Sequence, residues 1–147
     1  MAKNYHGVRT AGMDANLLFD LQHKRLKYHS SLMVTLNRSV IKNDSGEAQE
    51  KMLYSPRVIT SWENRFSRGI LDFTIWHHFT ADRFYGDNSL LAPYQIFNIR
   101  TGVKIPVWKG KLGMHFTVNN LTNTTYELVR LYPMPGRYWS VKLSYTF

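Results

Sequence analysis

Apolar and polar residues alternate with a period of two along most of this chain. Successive side chains of a β-strand point to opposite faces, so each alternating run predicts a strand with one apolar and one polar face. In one run, for example, Leu112, Met114 and Phe116 alternate with Gly113 and His115. The runs, of which the third is the weakest, cover residues 11–21, 26–36, 57–65, 71–80, 97–107, 111–119 and 138–147. The pattern predicts an all-β chain of about seven antiparallel strands.

The length of the runs is compatible with two architectures. Each run has about 9–13 residues, which is the length that a tilted strand needs to cross a bilayer and is longer than the usual soluble strand. In a soluble sandwich or lipocalin, the apolar face is buried and the polar face is wet. In a large membrane barrel, the apolar face meets lipid and the polar face lines the lumen. Alternation alone does not distinguish the two.

The connections between the runs favour the membrane barrel. Short connections follow the first, third and fifth runs, near residues 22–24, 66–69 and 108–110. Longer connections follow the second, fourth and sixth runs, near residues 41–52, 81–92 and 121–136. Short turns on one side and long loops on the other are typical of outer-membrane barrels, in which the short turns face the periplasm. The last strand is therefore expected to end in the periplasm.

The number of runs predicts that the chain is one part of a larger barrel. Bacterial single-chain barrels use an even number of strands, and seven is odd. With the last strand ending in the periplasm, Met1 would lie outside the cell, where a complete barrel would not begin. Residues Met1 to His6 also lack the basic-then-apolar stretch of a signal peptide. We expect either that the beginning is missing or that Met1 is not the biological start.

Composition and charge add two constraints. The chain has 147 residues, one domain's worth, with no cysteine and 14% aromatic residues. Its formal net charge of +9 would, by itself, suggest nucleic acid or another anionic partner. The cations avoid the central stretches of the apolar faces and lie on polar faces or near strand ends, as Lys27, Arg100 and Lys142 do. A nucleic-acid-binding protein would cluster them on a helix or stripe, so we expect no nucleic-acid partner.

Residues 118–147 resemble the C-terminal end of TonB-dependent outer-membrane receptors. The resemblance rests on Asn120-Leu-Thr-Asn123, Tyr126, Pro135-Gly-Arg137 and the alternating run that ends at Phe147. It implies a bacterial outer-membrane barrel of about 22 strands that is closed by an N-terminal plug. The whole chain, residues 1–147, is then the C-terminal part of the barrel, without a plug and without a segment that contacts TonB.

The resemblance also implies a function and partners. Whole receptors of this family take up a scarce ligand, such as a siderophore or cobalamin, with energy relayed from the inner membrane. The expected partners are outer-membrane lipid, the rest of the barrel and its plug, the TonB system through that plug, the barrel-assembly machinery and a small-molecule ligand. The sequence of residues 132–137 resembles cobalamin-type or Bacteroidetes receptors more than it resembles others. No cofactor is implied.

Two sets of residues are candidate functional positions. By the resemblance, the last strand is the signal that the barrel-assembly machinery reads, with its aromatic ends in the two aromatic girdles. Its residues are Trp139, Val141, Leu143, Tyr145 and Phe147. Aromatic side chains in or beside the long loops could stack on a ligand, or could instead anchor the interface and pack the loops. They are Phe84, Tyr85, Tyr94, Tyr126 and Tyr132.

No motif indicates an enzyme or a metal site. His77 and His78 are neighbours in a strand, so their side chains point to opposite faces and cannot share an ion. Glu47 and Glu50 are interpreted as solvated loop residues. No Ser/His/Asp order, Gly-rich phosphate loop or pair of carboxylates stands out. Two alternatives stay open: a soluble β-barrel or sandwich that binds a small ligand, and a small outer-membrane protein that closes by oligomerising.

Overall fold

The structure is a computed structural model that describes residues 7–42, 48–86 and 89–147, with the backbone alone at 42 and 48–51. This part of the chain contains β-strands and no helix. It accordingly has no helix with the length and hydropathy that a membrane crossing requires. The strands are β1 (Gly7–His23), β2 (Leu26–Lys42), β3 (Ala48–Lys51), β4 (Val58–Arg68), β5 (Leu71–Thr80), β6 (Arg83–Gly86), β7 (Ser89–Leu91), β8 (Tyr94–Val107), β9 (Gly110–Asn119), β10 (Glu127–Val129), β11 (Tyr132–Pro133) and β12 (Tyr138–Thr146).

Seven long strands form one antiparallel sheet in the order β1-β2-β4-β5-β8-β9-β12. β3 pairs with β2, while β6–β7 and β10–β11 form small hairpins within the long connections. The prediction of an all-β chain with about seven antiparallel strands is confirmed. β1 and β12 are the two edges of the sheet. Within the described residues they do not pair with each other, so the sheet is open.

The register places the apolar positions of all seven runs on one face of the sheet. Across the middle of the sheet, one row of this face runs from β1 to β5 through paired residues: Leu17, Leu32, Trp62 and His77. A slip of one residue in any hairpin would turn that strand's apolar side chains to the other face. The pairings between the long strands contain no such slip. We call the two sides the apolar face and the polar face. The apolar face carries, among others, Met13, Leu17 and Phe19 of β1, Leu26, Leu32 and Leu36 of β2, Trp62 and Phe66 of β4, Phe73 and Phe79 of β5, Phe97 and Val103 of β8, Met114 and Phe116 of β9, and Trp139 to Tyr145 at alternate positions of β12.

The three short connections are two-residue turns at one end of the sheet. They are Lys24–Arg25, Gly69–Ile70 and Trp108–Lys109, and the first residue of each has a positive φ, of 53°, 61° and 53°. Two-residue turns of this class match the twist of the flanking strands. Two of the turns therefore begin later than the sequence indicated, at residue 24 instead of 22 and at residue 69 instead of 66, because the first strand of each hairpin continues until only two residues are left.

The first hairpin is longer than its apolar pattern predicted. β1 begins at Gly7 and β2 ends at Lys42, whereas the alternating runs covered 11–21 and 26–36. Pairing continues through Val8 opposite Ile41, and the hydroxyls of Thr10 and Ser39 lie 3.1 Å apart. Periodicity missed this extension because polar residues occupy both faces there, although the backbone pairing persists.

The fold has almost no hydrophobic core. Among the described residues, only three apolar side chains are less than one-tenth exposed: Ile41, Leu91 and Tyr94. The accessible surface is 11202 Å², whereas a globular monomer of the same mass would expose about 7,800 Å². The long strands therefore make a single layer, with no second layer packed on either side among the residues described.

Candidate functional site

Much of the apolar face is exposed, most of all on the edge strands β1 and β12, whereas Ile75 and Ile99 in the middle of the sheet are half-buried. Leu17 is 69% exposed and Leu143 is 64% exposed, although each lies well inside a long strand. Soluble monomers rarely expose apolar patches larger than a few hundred Å², and larger patches mark membrane or partner surfaces. The apolar face therefore needs a cover, which is either lipid or a second layer of protein.

The height of the apolar face is close to that of a bilayer. On β2, the apolar positions extend from Leu26 to Leu36, which is about 34 Å along the strand at about 3.4 Å per residue. At the tilt of about 40° that barrel strands adopt, this length covers roughly 26 Å of height, close to the apolar band of about 25 Å in outer-membrane barrels. Arg38 and Arg9 follow on the same face beyond Leu36, toward the long loops.

Two pairs of polar side chains lie on the apolar face, and the members of each pair bond to one another. The Tyr28 hydroxyl donates to Asn64 Oδ1 at 2.6 Å, and the Asn64 side chain is buried. The Trp62 indole donates to Ser30 Oγ at 2.9 Å. Polar groups that face hydrocarbon must find partners within the protein, because no water is present to bond them. This arrangement suits a face that meets lipid.

The polar face forms a groove of about 580 Å³ across the middle strands of the sheet. Its lining includes Ser61, Glu63, Trp76, His78, Asn98 and Arg100. These side chains offer donors, acceptors and one aromatic surface, which is the mixture that ligand sites use to orient a small molecule. The same mixture suits a wet barrel lumen.

One network of side chains organises this groove. Glu63 accepts from the guanidinium of Arg65 at 2.5 Å and from the indole of Trp76 at 2.8 Å. The guanidinium of Arg100 lies 4.9 Å from the centre of the Trp76 ring, in a cation-π arrangement. Because Trp76 is held from its edge by Glu63 and on its face by Arg100, the groove presents a preorganised surface.

A second polar pair meets over a glycine, on the short-turn side of the groove. Asp72 Oδ2 and His115 Nδ1 lie 3.7 Å apart, on strands that flank Gly102 of β8. A Cβ at Gly102 would lie 2.4 Å from His115 Nδ1 and 2.6 Å from the Asp72 carboxylate. Only glycine therefore allows these two side chains to approach each other across the middle strand.

The segment from Asn120 to Arg137 is tied together by two asparagines. Asn120 Oδ1 accepts from the backbone N–H of Thr124 at 2.8 Å, and its Nδ2 donates to the carbonyls of Thr124 and Pro135 at 2.8 and 3.3 Å. Asn123 Oδ1 accepts from the N–H of Arg137 at 2.8 Å. Both asparagines have positive φ, 50° and 55°, which this residue tolerates better than most. The two motifs that carried the resemblance thus meet in space and join the loop to the start of β12.

Two of the predicted ligand-contacting aromatics pack together. Tyr94, which is buried, stacks on Tyr126 with 4.5 Å between ring centres. Burial raises the pKa of the Tyr126 phenol, and Tyr94 and Tyr138 raise it further. The guanidinium of Arg83 lies 5.2 Å from the Tyr94 ring centre and donates to the carbonyls of Glu127 and Leu128. The pair is therefore part of the packing that holds the β10–β11 hairpin.

The other three predicted aromatics lie in the two hairpins of the long connections. Tyr85 lies under the guanidinium of Arg130, with 5.2 Å between that group and the ring centre. Phe84 contributes its carbonyl, which accepts from the N–H of Tyr54 at 2.6 Å. Tyr132 is 71% exposed on β11, where a ligand could reach it. Of the five aromatics, the structure therefore brings Tyr94 and Tyr126 into direct contact.

The residues predicted as an assembly signal share the apolar face of the edge strand β12. Four of them lie opposite alternate residues of β9, with Trp139 opposite Val118 and Tyr145 opposite Leu112, and Phe147 follows the end of β12. Trp139 approaches Phe116 at 6.3 Å between ring centres, and Phe147 is 99% exposed. Trp139 and Phe147 thus lie toward opposite ends of the apolar face, as the two-girdle interpretation requires.

The histidine pair divides between the two faces of the sheet. His77 stacks on Phe97 on the apolar face, while His78 contacts the hydroxyls of Ser61 and Thr80 on the polar face. The described residues include no group of three or more His, Asp or Glu side chains that could hold a metal ion. Of the two loop acids, Glu47 lies outside the described residues, and the side chain of Glu50 is not described.

Three structurally important residues were not singled out from the sequence. They are Asn64, which is hidden beside Tyr28 on the apolar face; Arg83, which is buried against two carbonyls; and Gly102, which makes room for a polar pair. Asn64 is a polar residue at a position where the alternating pattern expects an apolar one. This departure could have indicated a hydrogen-bonded side chain on the apolar face. For Arg83, the sequence offered no such signal, because its contacts come from a loop far along the chain.

Comparison of the chain with protein-family models gives no match, and comparison with curated proteins gives none either. The functional conclusion therefore rests on the sheet, its two faces and the loop geometry.

Proposed function

We propose that this chain is a membrane-spanning part of an outer-membrane β-barrel receptor of the TonB-dependent type. The observation that carries the proposal is the seven-stranded antiparallel sheet whose apolar face is largely exposed and whose described residues form almost no core. A soluble sandwich or lipocalin buries its apolar face against a second layer or within a closed barrel. A bilayer covers an outward-facing apolar surface with its hydrocarbon chains, and no second protein layer is needed. Lipid is therefore the first partner of this chain.

The open edges point to a protein partner. Among the strands that the structure describes, β1 and β12 each have one neighbour in the sheet, so each leaves a row of backbone groups without a strand partner there. In hydrocarbon each unsatisfied backbone group costs several kcal/mol, and only closed barrels avoid this cost. The remainder of a larger barrel, of the 22-strand class, supplies both edges in this proposal. Closure by further copies of this chain is the competing arrangement.

The polar groove and the loops support a receptor role. In a closed barrel the polar face lines the lumen, which here carries the Glu63–Trp76–Arg100 arrangement. The hairpins β6–β7 and β10–β11 lie at the opposite end of the strands from the two-residue turns. A scarce small molecule, such as a siderophore or a cobalamin, would meet these loops first. A plug and the TonB system are the further partners this type of receptor requires.

The assembly role of the last strand is part of the same proposal. Trp139, Val141, Leu143 and Tyr145 present one apolar row of β12, which pairs with β9 among the described strands, and Phe147 follows directly after the strand. An exposed row of this kind, on an edge strand, suits recognition by a machine that pairs edge strands.

Trypsin accessibility in intact cells tests the location and the orientation together. Arg130 lies in the connection between β10 and β11, and Lys24 and Arg25 form a two-residue turn at the other end of the sheet; all three are exposed. We expect cleavage after Arg130 in intact cells, and cleavage after Lys24 or Arg25 only once the outer membrane is permeabilised. Equal cleavage at both ends in intact cells, or recovery of the chain in the soluble fraction, would contradict the proposal.

A further inference from the structure

The two-residue turns combine cations with exposed apolar side chains. Lys24 and Arg25 form the first turn, Arg68 precedes the second, and Lys109 ends the third. Ile70 and Trp108 are the apolar members, 51% and 95% exposed. No acidic residue lies in any of these turns. We name this set the turn rim, and it comprises Lys24, Arg25, Arg68, Ile70, Trp108 and Lys109.

The positive charge of the turn rim is not neutralised by its surroundings. The acids that lie nearest along the flanking strands are Asp20 and Asp72, and each already faces a histidine: Asp20 lies 2.7 Å from His29, and Asp72 lies 3.7 Å from His115. Within the described part of the chain, no rim cation takes part in an ion pair. Exposed lysines beside the turns add to the same potential; they are Lys27, Lys104 and Lys111. This end of the sheet therefore attracts an anionic surface.

Trp108 gives a second, independent indication of what that surface is. A bulky residue with φ of 53° is sterically unfavourable, and its ring, 95% exposed, gains almost nothing from packing within the chain. Tryptophan is enriched at the membrane–water boundary, where its ring lies among the headgroups. A strained, exposed tryptophan beside Lys109 fits a lipid boundary better than it fits water.

We propose that the turn rim binds the headgroup layer of anionic phospholipids, with its cations on lipid phosphates and with Trp108 and Ile70 among the glycerol and upper acyl groups. This inference rests on the proposed membrane-spanning function, because the apolar face is what brings the turns to one boundary of the bilayer. In the proposed orientation the rim meets the periplasmic leaflet. Phospholipid is therefore its partner, and no other polyanion is invoked.

Charge makes this binding selective among lipids. Each cation near an anionic leaflet strengthens association by about fivefold, and the effect falls off within a Debye length. If the four rim cations acted independently, their factors would multiply to a large preference for anionic lipid. Partial screening lowers the expected preference to about tenfold to hundredfold. Salt at 0.5 M should remove most of this preference, whereas burial of the apolar face should be little affected by salt.

Flotation of the full chain with vesicles tests the proposal. One set of vesicles contains phosphatidylcholine alone, and the other contains phosphatidylcholine with phosphatidylglycerol. We expect the chain to associate with both, with about tenfold or greater preference for the anionic vesicles at low salt. The variant with Lys24→Gln, Arg25→Gln, Arg68→Gln and Lys109→Gln should bind both vesicles equally. The variant Trp108→Ala should bind both vesicles more weakly than the unaltered chain.

A matched control removes the same charge from the other end of the sheet. Arg9→Gln, Arg38→Gln, Arg57→Gln and Arg137→Gln alter exposed cations on the long-loop side, and this variant should keep the preference. Equal binding of the unaltered chain to both vesicles would overturn the rim proposal and leave the proposed function standing. So would loss of the preference in the control variant. Absence of binding to either kind of vesicle would overturn both.

Discussion

Leu17→Arg is expected to destabilise the membrane-folded state by about 2–4 kcal/mol, whereas Asn16→Arg, one residue earlier, should change its stability by less than about 1 kcal/mol. Leu17 lies opposite Leu32 in the middle of the apolar face, and Asn16 lies opposite Met33 on the polar face. The cost falls on the face that meets hydrocarbon, where a guanidinium has to be desolvated. On the polar face, water solvates the same group.

The measurement is the urea midpoint of the β-sheet signal for both variants in phosphatidylcholine vesicles. The comparison is informative because Leu17 is 69% exposed. In a water-soluble protein, replacing so exposed a leucine by arginine changes stability by about 0.5 kcal/mol or less. Equal midpoints for Leu17→Arg and Asn16→Arg would show that the apolar face does not meet lipid.

Asn120→Ala is expected to release the segment between β9 and β12, at a cost of about 2–4 kcal/mol. The side chain is buried and makes hydrogen bonds to both backbone groups of Thr124 and to the carbonyl of Pro135. Removing it leaves these groups without a partner, and alanine tolerates the φ of 50° at this position less well than asparagine. The long loop should then open although the sheet itself persists.

Hydrogen exchange at residues 120–137 measures this effect. Protection at Thr124 and Arg137 should fall in Asn120→Ala, while protection in the centre of β9 stays unchanged. Thr122→Ala is the matched control, because this hydroxyl is exposed and bonds the hydroxyl of Thr124 at 2.9 Å, so its loss should change little. Unchanged protection in Asn120→Ala would mean that the loop is held by other contacts, such as those of Arg83.

The faces of the sheet were predictable from the sequence because the period of a strand is rigid. Once each strand pairs in register with its neighbour, alternate positions must share a face. The placement of His77 on the apolar side and His78 on the polar side followed from this rule alone. Strand ends were less predictable. β1 and β2 continue past their apolar positions, because the backbone ladder does not require apolar side chains.

The contacts of the loops and of single polar side chains were not predictable in the same way. The burial of Arg83 depends on carbonyls of Glu127 and Leu128, far along the chain, and no local pattern signals that approach. The bond between Tyr28 and Asn64 depends on the side-chain rotamers of neighbouring strands. The predicted ligand-contacting aromatics are a further case. Tyr94 stacks on Tyr126, and loop conformation, which periodicity does not encode, decides such contacts.

The central claim, that the apolar face meets lipid while the polar face does not, is tested most directly by the chain's own tryptophans. Trp62 lies on the apolar face, Trp76 on the polar face, Trp108 in a turn and Trp139 toward the long-loop end of the apolar face. In variants that keep one tryptophan each, brominated lipids should quench Trp62 most strongly when the bromines lie deep in the acyl chains. Trp108 and Trp139 should respond to shallow bromines, and Trp76 should respond to aqueous acrylamide alone. Equal lipid quenching of Trp62 and Trp76, or none at Trp62, would contradict the account.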